Sequence, residues 1–335
     1  MADRSILLGH GSGGALTHGL IKDLFLKKFN NPVLNELSDS AFLKYREPLA
    51  FTTDSFVVSP LFFPGGDIGK LSVCGTINDL LMLGAEPEYI SLGMIIEEGF
   101  DLKILEKIVD SISQTAKREG AIIATGDLKV VEKGAADKIF INTSGIGRII
   151  KQVRLSAKNI SPDDKIILTS GIGCHGLAVL AKRNELDLGF NIKSDCAALT
   201  RLLVPLLKKV KGIKFMRDPT RGGVATTLNE VAQSARLGIE IWEDKIPLSA
   251  QVRAACELLG LDPLYIANEG CALIVVKDNA AEKTLKLLKK QKLGHSARII
   301  GSIVNRHKGD VILHTSFGTQ RIVDMLSAEQ LPRIC

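Results

Sequence analysis

The chain has 335 residues, with 43 Lys+Arg against 37 Asp+Glu for a formal net charge of +6, and is 45% hydrophobic, 24% charged and 5% aromatic. That length suits two domains, the apolar fraction excludes a disordered chain, and no run approaches the roughly 18 uninterrupted apolar residues of a membrane span. The start, Met1-Ala2-Asp3-Arg4-Ser5, leads into only a brief apolar run and then glycines, where a secretory signal wants a basic start and a longer apolar core, so the expected location is the cytoplasm.

Segments alternate in the α/β manner. Residues 49–60 read as a strand, 67–84 as a helix stopped by Gly84, and 88–97 as a strand. Residues 101–119 form the clearest helical pattern: Asp101 is the cap candidate, Leu102, Leu105, Val109, Ile112 and Ala116 line one face, and Gly120 ends it. Strands at 121–125 and 138–149 follow. The polar stretch 156–164, with Pro162, marks a boundary. The pattern then restarts with strand 165–169, helix 175–184, a helix over 199–210 broken or kinked at Pro205, strand 214–216 and helix 223–235. Strand 238–242, helix 250–259, strand 272–276, helix 280–290 and strand 297–304 complete it. The last thirty residues hold short strand-like pieces and end Leu331-Pro332-Arg333-Ile334-Cys335, where proline denies a regular helix or inner strand.

Charge divides unevenly. Residues 1–155 carry 17 basic and 19 acidic side chains, and residues 156–335 carry 26 and 18. Much of the basic surplus is Lys283, Lys286, Lys289, Lys290 and Lys292, spaced as the solvated face of an amphipathic helix and lacking the interleaved aromatics of a nucleic-acid surface. The cysteines (Cys74, Cys174, Cys196, Cys256, Cys271 and Cys335) are widely spaced with no Cys-x-x-Cys, which disfavours a disulfide framework or zinc site. Cys74, Cys256 and Cys271 read as small buried hydrophobes. Cys335 differs, because the last residue packs in a core only if the whole tail docks.

Two stretches match G-x-G-x-x-G: Gly9-His10-Gly11-Ser12-Gly13-Gly14 and Gly171-Ile172-Gly173-Cys174-His175-Gly176. A dinucleotide site is disfavoured because neither has an acidic residue ending a following strand. Both are places where backbone N–H groups approach an anion, and the first has the look of a flap. The nearest approach to a phosphate-binding loop, Gly65-Gly66-Asp67-Ile68-Gly69-Lys70-Leu71, lacks the Ser or Thr after its lysine. More informative are aspartates at loop-like positions: Asp39, Asp54, Asp79 and Asp127. Each alone reads as a cap or turn residue; as a converging set they would repel one another unless divalent cations intervened.

The ordered motifs His10-Gly11-Ser12-Gly13-Gly14, Thr52-Thr53-Asp54-Ser55, Pro64-Gly65-Gly66-Asp67-Ile68-Gly69-Lys70, Thr125-Gly126-Asp127, Asp218-Pro219-Thr220-Arg221-Gly222-Gly223-Val224, Ala267-Asn268-Glu269-Gly270 and the terminal Pro332-Arg333-Ile334-Cys335 span the chain. On them the sequence resembles the PurM-like (AIR synthetase-related) ATP-binding enzymes, and within these the hydrogenase-maturation carbamoyl dehydratases. The resemblance implies a two-domain α/β (α+β) fold, each half a mixed sheet covered by helices. Residues 1–155 would be an ATP- and Mg²⁺-binding, dimerising domain, 156–305 a second PurM-like domain, and 306–335 a mobile tail.

It also implies a reaction. The carbamoyltransferase HypF loads a carbamoyl group onto Cys335. ATP-dependent dehydration turns this thiocarboxamide into a thiocyanate, and the cyano group passes to iron on a HypC–HypD complex. The implied catalytic residues are Cys335, Glu269 and Lys129; nucleotide-binding residues are Gly11, Ser12, Gly13, Gly14, Asp54, Gly126, Asp127, Asp218 and Arg221; metal ligands are Asp39, Asp54, Asp79 and Asp127. Partners are a second copy, HypF and HypC–HypD, with neither nucleic acid nor membrane. On residue type alone, Lys129 reads as a solvated lysine and Glu269 as a turn carboxylate. Ile334 is a candidate anchor for a docked tail, Arg333 a candidate offset to the terminal carboxylate beside the thiol, and His10, His18 and His175 stay open between phosphate contact and ordinary polar roles. Many relatives carry Asp-Asp where this chain has Ser38-Asp39, and Lys where it has Cys271. The alternatives are a PurM-like enzyme phosphorylating a free small molecule, which needs no terminal cysteine, and a non-catalytic adaptor that docks by its tail.

Overall fold

A computed structural model describes residues 5–7, 10, 19–36, 45–184, 186, 191–326, 331 and 333–335. Gly11, Ser12, Gly13, Gly14, His18, Ser38 and Asp39 lie outside the described residues.

The first sheet has strand order β1-β6-β4-β5, formed by β1 (Leu49–Phe56), β4 (Ala85–Glu97), β5 (Ile122–Val131) and β6 (Ile139–Ile149). The short hairpin of β2 (Phe62–Phe63) and β3 (Gly66–Asp67) leads into helix α1 (Ile68–Met82), and α2 (Leu102–Glu119) carries the chain from β4 to its parallel neighbour β5. The caps are those expected. The Asp67 carboxylate accepts from the N–H groups of Gly69 and Lys70, and that of Asp101 from Lys103 and Ile104; Gly120 closes α2 in the left-handed conformation. Leu105, Ile108, Val109 and Ile112 are fully buried, each worth roughly 1.5–3 kcal/mol, so this face fixes α2 on the sheet.

Two elements depart from the sequence expectation. β5 runs on through Thr125-Gly126-Asp127-Leu128-Lys129. Gly126 is there for close approach, since a Cβ would lie 2.7 Å from the Leu92 carbonyl oxygen. β4 begins at Ala85 and includes Pro87, tolerated because pairing with β5 starts only at Tyr89.

The second sheet has order β13-β12-β9-β11-β7-β10-β8, formed by β7 (Lys165–Leu168), β8 (Ile213–Arg217), β9 (Gly238–Trp242), β10 (Leu273–Val276), β11 (Arg298–Val304), β12 (Val311–His314) and β13 (Gln320–Ile322). Residues from 306 onward thus add two strands to this sheet before the chain turns toward the first domain. The helices are α3 (Cys174–Arg183), α4 (Thr200–Lys209), α5 (Gly223–Ala235), α6 (Ala250–Leu259) and α7 (Asp278–Lys289). Helix α4 runs through Pro205 without ending, because Leu202, Leu203, Leu206 and Leu207 are buried along one side and offset the ~3 kcal/mol cost of an interior proline. On α7 the lysines are exposed, as a solvated face should be.

The second sheet is buried on both faces. Ile166, Leu168, Leu273 and Val275 pack under α5, while the alternating Ile167, Ile274 and Val276 join a core shared with α1 and α2. The first sheet is covered on one face only: Leu49, Phe51 and Ile95 are exposed on the other, Phe51 to 70%. Among the described residues, no helix is long and apolar enough to cross a membrane.

Candidate active site

Three loops of the second domain meet the C-terminal end of β1 and the side of α1 that carries Asn78 and Asp79. Asp54 on β1 and Asp79 on α1 share a hydrogen bond, so one carboxyl of the pair keeps its proton. The Thr52 hydroxyl donates to Asp79 Oδ2 at 2.7 Å. Burial and the neighbouring Asp79 push Asp54 up to about 7, and burial with the Asp79 and Asp54 charges pushes Asp218 to about 7. Arg221 is the cation that faces Asp54. It is presented by the turn before α5, where Gly222 and Gly223 both have positive φ and a Cβ on Gly223 would meet the Leu264 carbonyl at 2.5 Å.

Glu269 lies at the centre, 3% exposed, and burial followed by the charges of Asp218, Asp195 and Asp54 holds its carboxyl well above the usual range. Its loop is fixed from several sides. Asn78 accepts from Leu199 N–H and donates to the Ala197 carbonyl at 3.1 Å and the Glu269 carbonyl at 3.4 Å, tying the loop to α1. Asn268, fully buried, donates to the carbonyls of Pro219 and Ile266 and accepts from Gly173 N–H. The Asp195 carboxylate accepts from the N–H groups of Glu269 and Gly270, and only glycine fits at 270, where a Cβ would fall 1.9 Å from the Asp195 carbonyl oxygen. Asp195 and Asn78 escaped the sequence reading as functional residues. No motif surrounds Asp195, and its role is created by N–H groups some 75 residues away.

The chain's end is docked in this cleft. Val57 N–H donates to an oxygen of the Cys335 terminal carboxylate at 3.1 Å and Ser59 N–H to the Arg333 carbonyl at 3.2 Å, an antiparallel pairing on the segment that continues β1. Ile334 is 6% exposed within the main core, as an anchor would be. The Cys335 thiol is pushed to about 12 by burial and the nearby Glu269, partly offset by a hydrogen bond from Arg221. Arg333 does not serve the thiol: its guanidinium bonds Asp137 Oδ2 at 2.6 Å and the Val57 carbonyl at 2.9 Å. Cys271, next to Glu269–Gly270, is buried and its thiol lies 3.8 Å from the Ser170 carbonyl.

The expected four-carboxylate convergence is not met within one chain. Asp54, Asp79 and Asp127 occupy a strand, a helix and a strand, not loops. Asp54 pairs with Thr143, Thr143 with Leu92, and Leu92 with Gly126, so Asp127 is about 14 Å across three strand spacings from Asp54. Asp54 turns toward α1, whereas Asp127 and Lys129 alternate onto the uncovered face, where they form an exposed ion pair at 3.6 Å. Lys129 and Glu269 are likewise not brought together in one chain. Among the described residues, no three His, Cys, Asp or Glu side chains cluster as metal ligands.

The raised carboxyls carry a stability consequence. Asp54 and Asp218, ordinarily at 3.8, hold protons in the folded chain up to about 7 that the unfolded chain has lost, so they weaken the fold as pH rises through that window. His175, lowered by burial from 6.5 to about 4, acts in the opposite sense between those two values. Above pH 6.5 the His175 contribution fades within about a pH unit and the carboxyls dominate. The melting temperature in metal-free buffer is therefore expected to fall from pH 6.5 to 8 by roughly 2–4 °C; a rise over that interval would show that the carboxyls do not repel in the fold.

Both halves of the chain match described families: residues 37–149 the N-terminal domain, and residues 161–314 the C-terminal domain, of AIR synthase related proteins. The class is therefore that of two-domain AIR synthase related proteins. The chain is 46% identical to the carbamoyl dehydratase HypE of Cupriavidus necator over 98% of this chain and 94% of that one. It superposes on a crystal structure of the hydrogenase maturation protein HypE in complex with ATP with a TM-score of 0.95, at 46% identity, covering 98% of this chain and 99% of that one. A HypE–HypF complex structure matches at 45% identity and a TM-score of 0.81 over 93% of this chain and 100% of that one. The chain belongs to the carbamoyl dehydratase HypE family.

Proposed function

We propose that the chain is an ATP-dependent carbamoyl dehydratase that carries its substrate on Cys335, converts the S-carbamoyl group to a thiocyanate, and so supplies the cyanide ligand of [NiFe]-hydrogenase iron. The observation that carries this reading is the terminal residue seated beside Glu269 and Arg221. An enzyme phosphorylating a free small molecule would leave that place open, and an adaptor would have no need of the raised carboxyls around it.

The donor chemistry suits a magnesium-bound triphosphate. Asp54 and Asp79 face each other, with Asp218 close by, and their mutual repulsion is what a divalent cation relieves. Those two residues, with Asp39 and Asp127, would hold Mg²⁺, and Arg221 and the Gly11–Gly14 loop would meet phosphate oxygens. When bound, Mg²⁺–ATP supplies the γ-phosphoryl group that makes the carboxamide oxygen a leaving group. The chain's own residues do the rest. The docked tail fixes the reacting carbon. The amide nitrogen has two protons to lose: one would leave to solvent as the oxygen becomes a leaving group, and Glu269 would take the other as the C–O bond breaks, phosphate departs and the nitrile forms. A carboxyl held high by burial is a strong base once ionised.

A docked thiol at about 12 stays protonated at neutral pH and is a poor nucleophile. Carbamoylation therefore takes place with the tail undocked, on HypF, and delivery to HypC–HypD needs the tail out again. The neutral thiocarboxamide, by contrast, suits a cleft lined by carboxylates. The uncovered sheet face with Leu49, Phe51 and Ile95 supports a homodimer in which a second copy covers it and contributes Asp127 and Lys129. Intact-mass analysis tests the function: the HypF-carbamoylated chain is expected to lose the mass of one water on adding Mg²⁺ and ATP, and a chain lacking Cys335 to show neither modification nor loss. An unchanged mass in the carbamoylated wild type would favour the adaptor.

A further inference from the structure

Of the two roles that the sequence leaves open for His175, phosphate contact and an ordinary polar role, its hydrogen bonds to Ser194 and the Ile334 carbonyl match the second. It opens α3 with its ring fully buried, edge-to-face on Phe63 at a centroid distance of 5.4 Å. Nε2 lies 2.6 Å from the Ile334 carbonyl oxygen and Nδ1 2.8 Å from Ser194 Oγ. A carbonyl only accepts, so Nε2 carries the proton and donates it. Nδ1 of the neutral ring then accepts from the Ser194 hydroxyl, whose oxygen accepts from Cys196 N–H at 3.0 Å. Burial keeps the ring neutral by lowering its pKa to about 4. The helix that follows the second G-x-G-x-x-G thus packs against the tail. A Cβ on Gly176 would come within 3.1 Å of Leu331, and Arg183, two turns further along α3, donates to the Arg333 carbonyl at 2.6 Å and the Ser59 carbonyl at 2.7 Å.

We propose that His175, held as the Nε2–H tautomer between the Ile334 carbonyl and the Ser194 hydroxyl, is the positioning residue that seats the C-terminal tail for reaction. The contact falls on the peptide carbonyl between Ile334 and Cys335, so it fixes the plane of the last peptide bond and with it the direction in which the Cys335 side chain leaves the backbone. A neutral donor suits a tail that must come and go, because breaking one uncharged hydrogen bond leaves no unpaired charge buried behind. The role rests on the dehydratase reading for its purpose but not for its geometry.

The test uses the full chain with iodoacetamide as the probe of the Cys335 thiol, read by peptide mass, and separately the HypF-carbamoylated chain in a single-turnover measurement of water loss. His175→Phe keeps an aromatic ring and removes both nitrogens; His175→Gln keeps an N–H near the Nε2 position; Ser194→Ala removes the partner of Nδ1 and, with it, the acceptor of the Cys196 N–H. His175→Phe is expected to speed alkylation of Cys335 and slow water loss, each by roughly tenfold or more, the worth of one buried hydrogen bond. His175→Gln should recover most of both, with nucleotide affinity unchanged in either variant. Unchanged alkylation in His175→Phe, faster alkylation with normal water loss, or a Gln variant as impaired as Phe would each overturn the proposal. Should His175→Phe fail to fold, Ser194→Ala decides: faster alkylation with slower water loss supports the role, and wild-type behaviour overturns it. Alkylation needs neither ATP nor HypF, so a carbamoylated wild type that loses no water would sink the dehydratase reading while the seating is still decided.

Discussion

Glu269→Gln is expected to slow ATP-dependent water loss from the carbamoylated chain by about 10²–10⁴-fold, the usual worth of a positioned general base, while HypF loads Cys335 at the normal rate. The substitution suits the test because it is nearly isosteric and leaves in place the Glu269 N–H bond to Asp195 and the Ala197 N–H bond to the Glu269 carbonyl. It also removes a carboxyl that repels Asp218, Asp195 and Asp54 when ionised, so the variant should melt no lower than wild type at pH 8. Loss of activity with an undiminished melting temperature identifies a chemical role. Water loss at the wild-type rate would remove Glu269 from proton transfer.

Asp127→Asn should abolish dehydration while sparing carbamoylation, and the same substitution reports how the site is shared. Within one chain Asp127 and Asp54 lie on opposite faces and opposite edges of the first sheet, so in the proposed homodimer Asp127 would reach the phosphates only from the second copy. Dimers mixed from Asp127→Asn and Glu269→Gln chains should then contain one site carrying both changes and one carrying neither. Random mixing makes half the dimers hybrid, with one intact site in each, so two inactive preparations should together regain about a quarter of wild-type activity if non-additive defects stay confined to their own sites. No recovery after subunit exchange, verified by mass, would place Asp127 and Glu269 in one chain's site or outside the mechanism.

The course of β5 illustrates where reading the sequence reaches its limit. Gly126-Asp127 has the composition of a turn, and nothing local distinguishes a glycine that bends the chain from one that lets a neighbouring strand's carbonyl approach. The partner that settles it, Leu92, is 34 residues away. The helices were far more legible. Asp67, Asp101 and Gly120 act through atoms within a few residues, and the apolar period of α2 is visible without a fold. Of the break or kink expected at Pro205 the break does not occur, because the cost of proline is local and the burial that offsets it is not.

The site shows the same division. Motif order and the final cysteine, by themselves, determined the family and pointed to Cys335, Glu269, Asp54, Asp79, Asp218 and Arg221, residues that the fold brings into one cleft. Only the tertiary structure decided that Asp127 and Lys129 face away from it, that Arg221 and not Arg333 attends the thiol, and that Asp195, Asn78 and Asn268 hold the Glu269 loop. It also decided the place of His175, against the tail and not a phosphate. The reason is physical. Chemical identity is carried by residue type and is legible along the chain, whereas the strength of a base, the face of a strand and the partner of a buried donor depend on desolvation and on contacts between segments far apart in sequence.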